Sequence, residues 1–273
     1  MSSFGPLVSA AWLRAHLDAP DVVAVDCRYT LGDPEAGERG WLDGHIPGAA
    51  FLSVSADLSG ELREGGRDGG RAPIPTARDF EASARRAGIA TRSRVVAYDE
   101  TGEGGASRLW WLLRHFGHDS VAVLDGGLGA WSEAGGELRG GTERAAPGDF
   151  TAQEREGDTV AVEELQDGSL RLLDAREPER FRGEREPMDP VAGHIPGARN
   201  VPSPELAPEG RFPGKDELRD QLGGEPFVAY CGSGMTATTL LLAAEIAGVE
   251  GRLYPGSWSE WSRQGRPVET REG

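Results

Sequence analysis

The residues best placed to do chemistry are Cys231 and the loop it opens, Tyr230-Cys231-Gly232-Ser233-Gly234-Met235-Thr236. An apolar run, Phe227 to Tyr230, precedes the thiol and reads as a buried strand; a helix-forming run from Thr236 to Ala247, closed by Gly248, follows it. The thiol therefore sits where a strand ends and a helix begins, which in parallel α/β sheets is where ligands bind. Gly232 and Gly234 let the loop curl so that successive backbone N–H groups point inward as a nest for an anion. The positive end of the helix dipole adds to that field. A cysteine held there is expected to ionise more readily than a free one, whose pKa is ~8.5. Ser233 and Thr236 add hydroxyl donors. These residues describe a reactive thiolate in an anion cradle. A buried core cysteine, the common fate of a free thiol, would not require Gly-Ser-Gly after it.

The rest of the chain must position that loop. With 273 residues there is room for one large domain or two ordinary ones. A formal charge of −16 argues against nucleic acid as a partner. It also disfavours anions in general, so an anion site must rely on local donors. The two cysteines, Cys27 and Cys231, make no disulfide framework and suggest a reducing compartment. The N-terminus lacks a basic stretch before an apolar one, and no apolar run approaches membrane-spanning length, so a cytoplasmic protein without membrane contact is expected. No phosphate-binding Gly-x4-Gly-Lys-Ser/Thr loop is present, which removes support for an NTPase.

In chain order, Ser9 is placed to cap a helix, Val22 to Asp26 reads as a buried strand, and Gly44-His45-Ile46-Pro47-Gly48-Ala49 as a turn. Residues 59–75 are rich in Gly, Arg and Pro and read as a long surface loop. Thr76, with Asp79 three positions on, opens a helix ending at Gly88; Arg94 to Tyr98 is a strand, Arg108 to Phe116 a helix, and Ser120 to Leu124 a strand leading to Asp125-Gly126-Gly127 and Trp131. The alternation means parallel α/β. The pattern then repeats. Leu170 to Arg176 echoes Val22 to Arg28, Gly193 to Ala198 reproduces Gly44 to Ala49 residue for residue, Phe227 to Cys231 echoes Val95 to Asp99, and Gly256 to Trp261 stands where Gly126 to Trp131 stands. This is a duplicated domain. Its chemical mismatch is Asp99 in the place of Cys231, followed by the longer, acidic loop Glu100 to Gly105. An acidic loop holds an anion poorly, so the first half reads as catalytically silent.

The duplicated His-Ile-Pro-Gly-Ala turns, the Asp125-Gly126-Gly127 and Gly256 to Trp261 runs and the six-residue loop from Cys231 to Thr236 make the chain resemble, over nearly its whole length, the tandem-domain rhodaneses, the thiosulfate and 3-mercaptopyruvate sulfurtransferases. The resemblance implies an α/β protein of two rhodanese-like domains, each a parallel five-stranded sheet flanked by helices on both faces. Residues 1–140 would form the silent domain, 141–157 a linker and 158–273 the catalytic domain. It also implies that Cys231 takes a sulfur atom from a donor as a persulfide and passes it to cyanide or a thiol, thioredoxin among the acceptors, with no cofactor or metal. One chain already contains a pseudo-dimer, so a monomer is expected. The loop Cys-Gly-Ser-Gly-Met-Thr resembles the mercaptopyruvate subtype; the thiosulfate subtype usually carries an Arg-Lys pair after the cysteine. Two cations suit a dianion, whereas Gly232-Ser233 supplies none. Arg180 matches the family arginine that holds the donor's anionic group, and a guanidinium fork suits a carboxylate. Gly232, Gly234, Met235 and Thr236 would complete the substrate cradle, with Ser233 as a proton relay.

This sequence departs from that pattern at two places. A second substrate arginine, often nine residues after the first, is replaced by Asp189, with Arg182 and Arg185 as the nearby substitutes. The aspartate that some relatives place after the first His-Ile-Pro-Gly-Ala turn is Ser55 here, with Asp57 two residues on. Asp57, Tyr29 and Trp258 are candidates for the pocket wall. His45 and His194 occupy identical turns of a silent and an active half, which points to a structural role. His115 and His118 straddle a helix end without further ligands, so zinc is not expected. Related folds with phosphatase or arsenate reductase activity use a longer cysteine loop ending in an arginine; that position is Ala237. A non-enzymatic sulfur carrier retaining Cys231 is the remaining alternative.

Overall fold

The computed structural model describes residues 4–100, 104–166 and 168–270; Thr101, Gly102 and Glu103 of the acidic loop lie outside the described residues. The chain forms two compact units that are not simply its two halves. The first comprises residues 1–60, 75–155 and 209–211, and the second residues 61–74, 156–208 and 212–273. The stretch read as a surface loop thus belongs, over 61–74, to the second unit.

In the first unit the elements run β1 (Leu7–Val8), α1 (Ala10–His16), β2 (Val22–Asp26), α2 (Ala36–Asp43), β3 (Ala50–Phe51), α3 (Ala77–Arg86), β4 (Arg94–Tyr98), α4 (Gly105–His115), β5 (Val121–Leu124) and α5 (Gly127–Glu133). The sheet is parallel, in the order β1-β5-β4-β2-β3. Alternation along the strands sends Ala24, Val96, Tyr98, Ala122 and Leu124 to one face, where they pack with Leu13 of α1 and Leu128 and Trp131 of α5. The intervening Val25, Val95 and Ala97 are equally buried on the opposite side, where α4 packs on β4 and β5. Strands apolar on both faces are what a helix-covered parallel sheet requires. The expected caps are present: Ser9 Oγ accepts from Trp12 N–H and Thr76 Oγ1 from Asp79 N–H, both at 3.2 Å.

The second unit runs β6 (Leu172–Asp174), α6 (Pro178–Phe181), β7 (Arg199–Asn200), α7 (Ser203–Leu206), α8 (Lys215–Leu222), β8 (Phe227–Tyr230), α9 (Ala237–Ala247), β9 (Gly251–Leu253) and α10 (Ser257–Arg263). Its parallel sheet has four strands, β7-β6-β8-β9, not the five expected. The place of a fifth is taken by an isolated parallel bridge between Thr159 and Leu253, made by Val160 N–H to Leu253 O and Leu253 N–H to Asp158 O. Gly157, with φ +85°, turns the chain away before a longer ladder can form. Val228, Tyr230, Trp258 and Trp261 pack on one face of this sheet, and α9 packs on β8 and β9.

The repeat is also a repeat of buried charge. After β2, Arg28 closes on Asp26 (Nη2–Oδ2 2.7 Å) and on Gly44 O (2.7 Å). After β6, Arg176 closes on Asp174 (2.6 Å) and Gly193 O (2.7 Å). Each arginine thereby ties its strand end to the His-Ile-Pro-Gly-Ala turn. The turns are fixed from the other side too: Tyr98 Oη accepts Ile46 N–H and Tyr230 Oη accepts Ile195 N–H, both at 3.2 Å. The histidine Nδ1 atoms donate to Trp41 O and Phe181 O, both at 2.7 Å, since a carbonyl can only accept. These are the structural roles expected of His45 and His194. His115 stacks on Trp111 and His118 bonds Ser93 O at 3.0 Å. No described helix is long and apolar enough to cross a membrane.

Removing one partner of a buried ion pair leaves an uncompensated charge. Arg176→Met, which strands the fully buried Asp174 carboxylate, is expected to cost about 3–5 kcal/mol in urea-induced unfolding. Arg28→Met should cost less, because the Arg28 side chain keeps 12% exposure.

Candidate active site

Cys231 follows β8 directly and is 1% exposed. Its N–H donates to Ser257 Oγ (3.2 Å), and that hydroxyl donates to Tyr254 O (3.0 Å). The carbonyls of Cys231 and Gly232 accept from Trp258 N–H (3.0 Å) and Ser259 N–H (2.9 Å) at the start of α10. Ser257 enters that helix at φ +53°, a conformation that costs a non-glycine residue. With these carbonyls taken, the N–H groups of Gly232, Ser233, Met235 and Thr236 have no hydrogen-bond partner among the described residues. They are the donors an anion cradle needs. Gly234 has φ +79°, and a Cβ there would stand 2.5 Å from Pro255 O, so only glycine fits. Ser233 is half-buried and its hydroxyl has no protein partner among the described residues. Met235 is buried, and its carbonyl anchors the first turn of α9 by accepting Thr238 N–H (3.1 Å) and Thr238 Oγ1–H (2.7 Å).

Two guanidiniums crowd the residue after the thiol. A Cβ on Gly232 would lie 3.3 Å from Nη1 and from Nη2 of Arg180, and 3.1 Å from Nη2 of Arg71. Arg180 reaches this position from α6 and is held there by Glu186, which accepts from its Nε (3.2 Å) and Nη2 (2.8 Å). Glu186 is itself fixed by the N–H groups of Met188 (3.0 Å) and Asp189 (3.2 Å) and lies 3.4 Å from Arg176. Asp189, whose side chain is fully buried, accepts from Arg71 Nε (3.1 Å) and Nη2 (3.2 Å), from Arg263 Nη1, and lies 3.6 Å from Arg180 Nη2. Arginines and carboxylates therefore alternate from the end of β6 to the mouth of the loop.

Arg71 was not among the residues singled out by sequence. It arrives on the 61–74 strap, which is stitched to α10: Gly69 N–H donates to Glu260 Oε1 (2.8 Å), Arg71 N–H to Ser259 Oγ (3.0 Å), and Gln264 Nε2 to Arg67 O (2.9 Å). Gly70, with φ +75°, comes so close that a Cβ would stand 2.3 Å from Gly256 O. Arg182, offered as a substitute cation, instead pairs with Glu184 at the surface (2.8 Å), and Arg185 is exposed. The Trp258 ring is wholly buried, donates to Val191 O (2.9 Å) and lies under the Arg176 guanidinium; what Trp258 gives the loop is its backbone N–H. Tyr29 and Asp57 belong to the first unit. Tyr29 is half-buried, and Asp57 is engaged by Ser53 N–H (2.9 Å), Ser83 Oγ (2.8 Å) and Arg86. Asp99 occupies the place of Cys231 in the first unit, accepting Ala106 N–H on its carboxylate (3.0 Å) and Leu128 N–H on its carbonyl (2.9 Å). Burial, with Asp26 and Asp99 nearby, pushes the Cys27 thiol far above its usual range, so it is an inert packing residue.

Two stretches, residues 9–134 and 159–264, match the rhodanese-like domain. The chain belongs to the rhodanese family. A rhodanese of Pseudomonas aeruginosa, named a probable 3-mercaptopyruvate sulfurtransferase, is 43% identical over 283 residues, covering 98% of this chain and 99% of its own. One of Mycobacterium tuberculosis (strain H37Rv), provisionally named thiosulfate sulfurtransferase SseB, is 42% identical over 277 residues, covering 96% of each chain. The crystal structure of SseA from Escherichia coli, a 3-mercaptopyruvate sulfotransferase with the rhodanese fold, superposes with a TM-score of 0.81 at 33% identity, covering 94% of this chain and 100% of the other. This rhodanese is a sulfurtransferase. The two relatives of nearly equal identity carry names that differ in donor, so overall similarity does not decide the donor.

The steric map of the loop gives a graded prediction. Gly234→Ala is expected to cost about 1–3 kcal/mol of stability from its strained φ and to abolish sulfur transfer to cyanide. Gly232→Ala meets two side-chain guanidiniums at 3.1–3.3 Å and no backbone, so a shift of a few tenths of an ångström accommodates it; it should melt near the wild-type temperature and lose activity mainly through a raised donor KM.

Proposed function

We propose that the protein moves a sulfane sulfur from 3-mercaptopyruvate to a thiol or cyanide through a persulfide on Cys231. In this reading Cys231 attacks as a thiolate on the donor sulfur. The S–S bond forms as the donor's C–S bond breaks, and the leaving electron pair becomes the enolate of pyruvate. The donor's S–H proton stays on the outer sulfur or passes to the medium, and the enolate is protonated at carbon to give pyruvate, with Ser233 as the relay. An acceptor thiolate or cyanide then attacks the outer sulfur and returns the Cys231 thiolate. The unspent N–H groups of Gly232, Ser233, Met235 and Thr236 stabilise thiolate and persulfide without reorganisation. Arg180 and Arg71 orient the donor carboxylate, converting binding into proximity.

The observation that carries the reading is the pair of guanidiniums beside Gly232, each already sharing a carboxylate. Such a site suits one carboxylate better than the two charges of thiosulfate. Thiosulfate is the second reading, favoured by the 42% identity to SseB. The acceptor is a small thiol, cyanide or a thioredoxin, and the working form is the single chain.

Pyruvate release and thiocyanate formation, measured in parallel with both donors, test the assignment. Preference for mercaptopyruvate is expected; preference for thiosulfate would overturn it. Cys231→Ser should retain the fold by circular dichroism and lose turnover with both donors. Arg180→Met should raise the KM for mercaptopyruvate roughly 10- to 100-fold, the worth of a charge-assisted hydrogen bond, with a smaller effect on kcat.

A further inference from the structure

Asp189 is an odd residue to find beside a site for anions. Its carboxylate is fully buried, and it touches three arginines at once: Arg71, Arg263 and, at 3.6 Å, Arg180. A carboxylate that served only to anchor the strap would need one of these partners. The wider cluster holds Glu186, 3% exposed at the side chain, on the far edge of Arg180. Three guanidiniums thus face two buried carboxylates, while Arg176 and Asp174 neutralise each other behind them. Glu177, 3.9 Å from Arg180, is 61% exposed and screened by solvent. Among these groups the surplus is one positive charge; the buried Glu260 is held apart from them by Gly69 N–H and Tyr254 Oη–H. Both arginines that crowd Gly232 are within reach of Asp189, so its charge is felt where the donor's anionic group must sit.

We propose that Asp189 is a specificity-determining residue that biases the charge class of the donor: it holds Arg71 in place while cancelling one guanidinium, and so lowers the site's acceptance of a dianion relative to a monoanion. The inference rests on the reading of Arg180 and Arg71 as the donor's anion site, but it concerns the ratio between donors and not which donor the wild type prefers. Asp189 acts through the arginines and does not touch the reacting atoms.

The measured quantity is the ratio of kcat/KM for thiosulfate to kcat/KM for mercaptopyruvate. Asp189→Asn keeps an acceptor for the arginines and removes the charge. It is expected to raise the ratio roughly ten-fold, the effect of one unit charge on one extra donor charge in a half-buried site. Arg263→Gln removes a cation from the other side of the same carboxylate, on a side chain 20% exposed, and should lower the ratio. A structural defect would reduce both donors together and leave the ratio unmoved. Opposite shifts in the two variants support the proposal. A ratio that stays within two-fold of wild type in both, or that moves in the same direction in both, overturns it. If Asp189→Asn melts below the assay temperature, Arg263→Gln decides alone: a lower ratio supports the proposal and an unchanged or higher one refutes it. A wild type that prefers thiosulfate would defeat the donor assignment above while leaving this ratio test intact.

Discussion

The backbone of Cys231 and Gly232 is gripped from one side, and the site depends on that grip. Trp258 and Ser259 donate to the two loop carbonyls, and Ser257 takes the Cys231 N–H. A peptide whose carbonyl is fixed outward must send its N–H the other way. The loop can therefore close on itself with several donors unspent, and Gly234 is the residue whose positive φ completes the curl. The first unit keeps one of these bonds, with Leu128 N–H on Asp99 O. The two units share this part of the scaffold and differ in the side chain that follows the strand, Asp99 in one and Cys231 in the other.

Around this backbone core the charges are arranged in series. Asp174 holds Arg176, Glu186 touches Arg176 and holds Arg180, and Asp189 holds Arg71 and Arg263. Desolvating such groups is costly, and only multiple short hydrogen bonds repay it. Burial works against the Arg176 charge, but Asp174, together with Tyr230 and Glu186, more than offsets this and holds it more firmly protonated than a free arginine. The return is positional: every guanidinium near the loop has at least one carboxylate fixing its plane. A donor then meets cations whose orientation is already set, the condition under which electrostatic stabilisation is largest.

Much of this was legible in the amino-acid order, for reasons that differ by element. The cradle could be read because its parts are contiguous: Phe227 to Tyr230 as strand, Gly232 and Gly234 as hinges, Thr236 to Ala247 as helix. The helix starts at Ser9 and Thr76 could be read because capping is local. The fifth strand of the second sheet could not, since a strand and a two-bond bridge at Thr159 differ only in how soon Gly157 turns the chain. Arg71 was the serious omission. Its partner Asp189 is 118 residues away, and its own surroundings, Gly69-Gly70-Arg71-Ala72-Pro73, have the composition of a solvated loop. That composition has a second meaning, because Gly70 is required where the strap lies directly on the Gly256 carbonyl. Composition alone cannot separate a segment that needs no contacts from one that needs backbone contact at close range.

The strap also changes what a domain means in this chain. By sequence repeat the second half begins near residue 158, yet its compact unit includes residues 61–74. A loop entering another unit pays the entropy of closing a long chain segment, which grows only slowly with length. Two hydrogen bonds to α10, one from Gln264 at its end, and the shared carboxylate of Asp189 are enough to hold it. The first half of the sequence thus contributes a third cation, Arg71, to the cluster that Arg180 and Arg263 make around Asp189. The half of the sequence without the cysteine loop is therefore represented beside that loop. Asp189 is what receives that arginine: a cation at this position would repel Arg71, whereas the carboxylate accepts two of its hydrogen bonds.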